Sequence, residues 1–185
     1  MGVITTDSPN DPGYARARFI GARLLVAGDA FFFLGFLFAY LYLRALDSNG
    51  NWHPAHTDPS VVLGTITLVA VVAATAVLHF ASSQRLRSAM TVALALVLVG
   101  VVCEGIQLFN PGFSPSHGGG YGAVFVGFAA GFLAHLLGAA YWLETVAVDS
   151  QATAEQQQIE ARAALVFMTF LSGVAIVAYI LLYLV

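Results

Sequence analysis

Five stretches of this chain, residues 19–45, 61–82, 89–109, 121–148 and 161–185, each run to about 20 or more predominantly apolar residues, the length a helix needs to cross the hydrocarbon core of a bilayer. Helices buried in the core of a soluble protein are shorter and have amphipathic partners, which are missing here. Only 9% of the chain is charged and 59% is hydrophobic, whereas a water-soluble domain keeps roughly a quarter of its residues charged. The expected fold is all-α: a polytopic membrane protein built as a bundle of five transmembrane helices in one domain, residues 19–185. Ahead of it, residues 1–14 hold two aspartates and two prolines but no basic residue, unlike the start of a secretory signal. Residues 1–18 read as a polar cytoplasmic arm and the first tract as a retained span.

The basic residues orient the bundle. All seven are arginine. Arg16, Arg18 and Arg23 precede or open the first span, Arg85 and Arg87 lie in the second connection, and Arg162 begins the fifth span. Arg44 alone falls at an opposite-side end. By the positive-inside rule the N-terminus is cytoplasmic and, the span count being odd, the C-terminus external. Short connections make sequential helices antiparallel neighbours, and residues 151–158 read as a solvated loop running into a helix. The net charge of −3 offers no basic patch for nucleic acid. An odd span count with no internal repeat argues against a two-fold repeat transporter.

Polar side chains within the spans carry the most information, because each costs several kcal/mol there unless paired or neutralised. Asp29 lies about ten residues into the first span, followed by an aromatic run. Glu104 and Gln107 lie three apart near the external end of the third span, hence on one helix face. His79 is near the cytoplasmic end of the second span and His135 is mid-depth in the fourth. Asp29 and Glu104 admit two readings: proton handling or contact with a partner subunit, and an internal hydrogen bond to a neighbouring helix. His135 reads as a packing or lipid-headgroup histidine. Gly127 and Gly131, four apart on its helix, allow close helix approach.

No catalytic, cofactor-binding or metal-ligating set emerges. The five histidines show no i, i+4 pair within a span, and haem or copper in a membrane bundle needs several imidazoles at one depth. His53 and His56 share an external loop with Trp52 and lack a third ligand. Cys103, the only cysteine, forms no disulfide framework.

The stretch from Asp29 through Phe31, Phe32, Phe33, Gly35, Phe36, Phe38 and Ala39 to Tyr40 resembles the signature span of subunit III of cytochrome c oxidase and related haem–copper oxidases. Asp29 stands where that family has glutamate, and Gly28 replaces its serine. Trp52-His53-Pro54 is similar to the family's Trp-Pro loop element, and Gly64-Thr65 and His79 fall on matching positions of the second span. Tyr121-Gly122-Ala123-Val124-Phe125 resembles Tyr-Gly-Ser-x-Phe, and counting on without a gap puts His135 on the second histidine of His-Gly-x-His. The departures are Phe132 at the first of those histidines, Glu104-x-x-Gln107 reversed from Gln-x-x-Glu, and Thr169-Phe170-Leu171-Ser172 in place of His-Phe-Val-Asp. The likeness is to the five-helix form, without the first two of seven helices.

The resemblance implies an accessory, non-redox subunit of a terminal oxidase that reduces oxygen to water and translocates protons. The haems and copper would belong to partner subunits I and II, with none in this chain, and phospholipid would be bound. It makes Asp29, Glu104 and Gln107 the proton-related candidates, and His79, His135, Arg44, Trp52 and Tyr40 the lipid or partner contacts. The alternatives are a subunit-III-like accessory protein of a nitric oxide reductase and a small transporter or channel. Arginine without lysine, beside many Ala, Val and Gly, implies a bacterial plasma membrane.

Overall fold

The computed structural model describes residues 12–47, 49–113, 117–149 and 153–184. It is helical, and no strand occurs among the described residues. Five helices are long and apolar enough to cross a membrane: α1 (Pro12–Ala45), α2 (Val61–His79), α3 (Leu86–Phe109), α4 (Gly119–Val148) and α5 (Ala154–Tyr179). At 1.5 Å per residue the 19 residues of α2 rise about 28 Å, close to the thickness of the hydrocarbon core. The 34 residues of α1 rise about 51 Å, so this helix runs well beyond the apolar layer.

Local chemistry sets the helix ends. At α2 the Ser60 hydroxyl accepts from the Leu63 amide. At α5 Thr153 and Gln156 form a reciprocal capping box, 3.2 and 2.8 Å, satisfying amide groups that would otherwise lack partners. That cap places residues 154–158 in the first turns of α5, where the sequence reading had a loop. Likewise α1 starts at Pro12, before the first apolar tract. Proline suits a first helical position, because the N–H it lacks would have no partner within the helix. A single 3₁₀ turn, Ser83–Arg85, joins α2 to α3, and α5 widens into a π-turn over Ile180–Leu184.

Helices α2, α3, α4 and α5 close into a ring in which each packs on the next and α5 returns to α2. Its centre is filled by Val71, Ala74, Ala93, Val97, Leu136 and Leu171, all fully buried. Short side chains let helix backbones approach closely in a membrane. Hydroxyls add cross-links between α2 and α5: Thr75 to Ser172 at 2.7 Å and Thr65 to Tyr179 at 2.8 Å.

Helix α1 stands outside this ring, against α4 and α5. The sequential-neighbour expectation therefore fails for α1 and α2. Residues 46–60 are long enough to carry the chain across the end of the bundle, and the glycines that receive α1 lie on α4. A β-carbon on Gly131 would fall 2.8 Å from the Phe32 ring, and one on Gly127 would fall 2.9 Å from Phe36. The expected close approach at these glycines is realised by phenylalanine rings seated on bare backbone. Between α1, α4 and α5 lies an almost wholly apolar cleft of about 460 Å³, walled by Phe33, Leu37, Phe128, Phe170, Gly173 and Val177 among others.

Candidate functional site

Asp29 and His135, read separately from the sequence, meet across the α1–α4 contact. His135 Nε2 lies 3.4 Å from Asp29 Oδ1, and both side chains are more than four-fifths buried. The other ring nitrogen, Nδ1, is 2.6 Å from the Gly131 carbonyl, one turn back on the same helix. A carbonyl only accepts, so Nδ1 carries a hydrogen. A neutral imidazole then has no hydrogen at Nε2. Phe32 and Phe33 flank the imidazole at centroid distances of 5.4 and 4.8 Å. Asp29 Oδ2 is buried with no hydrogen-bond partner among the described residues. The arrangement is a desolvated carboxyl–imidazole pair able to hold one proton between two helices.

Glu104 and Gln107 share a face of α3 as expected, and both are buried. Gln107 Oε1 accepts from the Tyr183 hydroxyl at 2.7 Å. The Tyr183 ring lies over Gly64, where a β-carbon would come within 2.5 Å of it. Glu104 lines a small cavity among α2, α3, α4 and α5. This cluster is distinct from the Asp29 pair: it belongs to the ring, near the end opposite the α1 N-terminus.

Tyr40, Arg44 and Trp52 form a third group where α1 ends. Arg44 donates to the Tyr40 hydroxyl at 3.2 Å, and its guanidinium stays exposed. Trp52 sets its ring edge-on to Tyr40 at 5.1 Å, and its carbonyl accepts from the Tyr121 amide at 2.8 Å. The fit requires glycine at two adjacent positions. Gly119 has a φ of +61°, and a β-carbon there would strike the Asn51 carbonyl, while one on Gly120 would lie 2.9 Å from the Trp52 ring. His53 lies against the Tyr121 ring at 4.2 Å, the two planes tilted by 42°, and 3.3 Å from Asp58. His79 joins none of these groups: it is exposed at the end of α2, edge-on to Phe80.

One group escaped the sequence reading. Arg18 pairs with Glu160 at 2.8 Å, and the Tyr14 hydroxyl donates to the same carboxylate oxygen at 3.1 Å. Trp142 approaches the second oxygen at 3.4 Å. The clasp ties the first turns of α1 to α4 and α5. Tyr14 and Arg18 are four residues apart, so they share a helix face. In the sequence alone that spacing carries no meaning, because residues 12–18 read as a polar arm. Tyr121 and Tyr183 were missed as polar anchors too. Tyr121 donates to the Leu182 carbonyl at 2.6 Å, within the π-turn that ends the helix, where carbonyls lack helical partners.

Among the described residues no three His, Cys, Asp or Glu side chains converge as metal ligands. Neither a family model nor a curated protein sequence matches the chain.

Proposed function

We propose that this chain is the accessory, non-redox subunit III of a terminal haem–copper oxidase, seated beside subunits I and II in a bacterial plasma membrane. In this reading the partner subunits carry the haems and copper that reduce oxygen to water, while this chain stabilises subunit I and supports proton uptake. Its N-terminus is cytoplasmic and its C-terminus external, as the arginine distribution implies.

The Asp29–His135 contact carries the proposal. The two positions were matched to different motifs of the subunit III family, one in the first span and one in the fourth. The fold brings these two motif positions, 106 residues apart in the chain, within 3.4 Å of each other, as the shared resemblance leads one to expect. Two further features support it. The apolar cleft of about 460 Å³ has the dimensions and lining for acyl chains of a phospholipid, with the exposed Arg44 guanidinium at the α1 end available to a headgroup. Between its flanking arginines α1 presents an apolar outward face, with Phe31, Phe38 and Leu41 all more than half exposed.

Purification from native membranes in mild detergent, with subunits identified by mass spectrometry, tests the reading. A haem-coloured assembly that reduces oxygen and holds this chain in stoichiometric amount is the expected result. Recovery with a nitric oxide reductase would move it to that enzyme. A colourless homo-oligomer that moves solute across liposomes would overturn it in favour of a transporter or channel.

A further inference from the structure

The helical threonines of the described chain follow one habit with one exception. Thr65, Thr75, Thr91 and Thr169 each donate to the carbonyl four residues back, at 2.7–3.1 Å, and Thr145 does so three residues back. This is the usual way for a hydroxyl to satisfy itself in an apolar helix. Thr67 is 96% buried and its hydroxyl has no hydrogen-bond partner among the described residues. It lines the small, partly open cavity among α2, α3, α4 and α5, together with Glu104. The remaining walls are the Gly64 backbone, aromatic rings and aliphatic side chains. The two phenols there are already engaged, Tyr179 with Thr65 and Tyr183 with Gln107.

The cavity measures about 30 Å³, above the roughly 10–15 Å³ that one water molecule needs. An apolar void of that size stays empty, but this one has a buried hydroxyl and a buried carboxyl on its wall. An unmet hydroxyl in such a place is costly, and a water with two polar partners removes that cost. We infer that the cavity is a binding site for a single internal water that bridges Thr67 on α2 to Glu104 on α3. Gln107 Nε2, buried one turn along from Glu104 and likewise without a partner among the described residues, lies on the same polar face of α3. The bridge hydrates the Glu104 carboxyl and adds a polar link between α2 and α3.

Thr67→Val tests this, because valine keeps the shape and removes only the hydroxyl. The full chain in detergent is heated with a thiol-reactive dye that reports exposure of Cys103, on α3 beside Glu104. With a bound water, T67V loses about one hydrogen bond and lowers the midpoint by about 2–4 °C. In an E104L background, where the bridge is already gone, the same change costs much less. Equal or greater stability of T67V in the native background overturns the inference, because removing an unmet hydroxyl from a dry cavity is favourable. A loss of the same size in both backgrounds overturns it too, since Thr67 would then act by packing alone.

Discussion

In the apolar window of α1, 11% of the residues are buried within the protein, against 33–39% in the windows of α2 to α5. Both regions are made of the same kinds of residue, and the difference lies in how they are held. In lipid, an exposed phenylalanine or leucine is no worse off than a buried one, so helices associate through close packing and polar contacts. The ring of α2 to α5 uses packing. Alanine, valine and leucine along all four helices reach full burial, and the attraction is spread over many small dispersion contacts. Helix α1 uses points instead: the Arg18–Glu160 clasp, the Asp29–His135 pair, two phenylalanines on glycine, and the Tyr40–Trp52–Tyr121 corner. Among the described residues only Ala22, Phe33 and Tyr40 of this helix are buried, and over Ala30–Tyr40 it leaves the cleft against α4 and α5. A continuous seam would close that space, whereas a few anchors hold a helix while keeping room beneath it.

Two reporters separate the regions. Both tryptophans of the chain touch an anchor of α1: Trp52 meets Tyr40, and Trp142 meets Glu160. The only cysteine, Cys103, is buried within the ring. Tryptophan fluorescence therefore follows the docking of α1, and thiol labelling follows the ring. His135→Leu should have the largest effect. It leaves the Asp29 carboxyl without a partner at a depth where an ionised aspartate costs about 2.5–3.5 kcal/mol. The tryptophan transition should fall by about 5–10 °C, with Cys103 labelling moving much less. If both transitions drop together by the same amount, α1 and the ring are one cooperative unit and the contrast drawn above is wrong.

How far the sequence made this legible follows the same division. The spans were plain, because tracts of about 20 apolar residues are a signal of length and composition that needs no partner. Their ends were not. Tyr14 and Arg18 look like part of a polar arm until Glu160, far along the chain, is seen to bind them both. The ring order was also hidden: adjacency of α2 and α5 depends on Thr65, Thr75, Ser172 and Tyr179, whose pairing is a fact of three dimensions. Asp29 and His135 were each visible as polar residues at depth, since their cost is local. Their meeting was not visible, because nothing in either span names the other. Thr67 shows the limit from the other side. In sequence it is one of several threonines in apolar helices, and only the direction of its hydroxyl sets it apart.

Two glycine substitutions of like chemistry sharpen the comparison at smaller scale. At Gly131 a β-carbon would sit 2.8 Å from the Phe32 ring, so Gly131→Ala forces the ring off its seat. Phe32 is half exposed and can swing toward lipid. The cost is then at the low end of overpacking, about 1 kcal/mol, read as a fall of about 2–4 °C in the tryptophan transition. At Gly100, inside the ring, a β-carbon would meet Val71 and Leu136 at 3.6 and 3.7 Å, ordinary contact distances. Gly100→Ala adds dispersion contacts there and removes the backbone freedom of glycine, a combined gain of about 0.5 kcal/mol. The Cys103 transition should rise by about 1–2 °C. The two signs, each on its own reporter, are what a point-anchored helix beside a distributed ring requires. A loss at Gly100 comparable to that at Gly131 would mean that the ring too is held at critical points, with its packing already too tight to accept one methyl group.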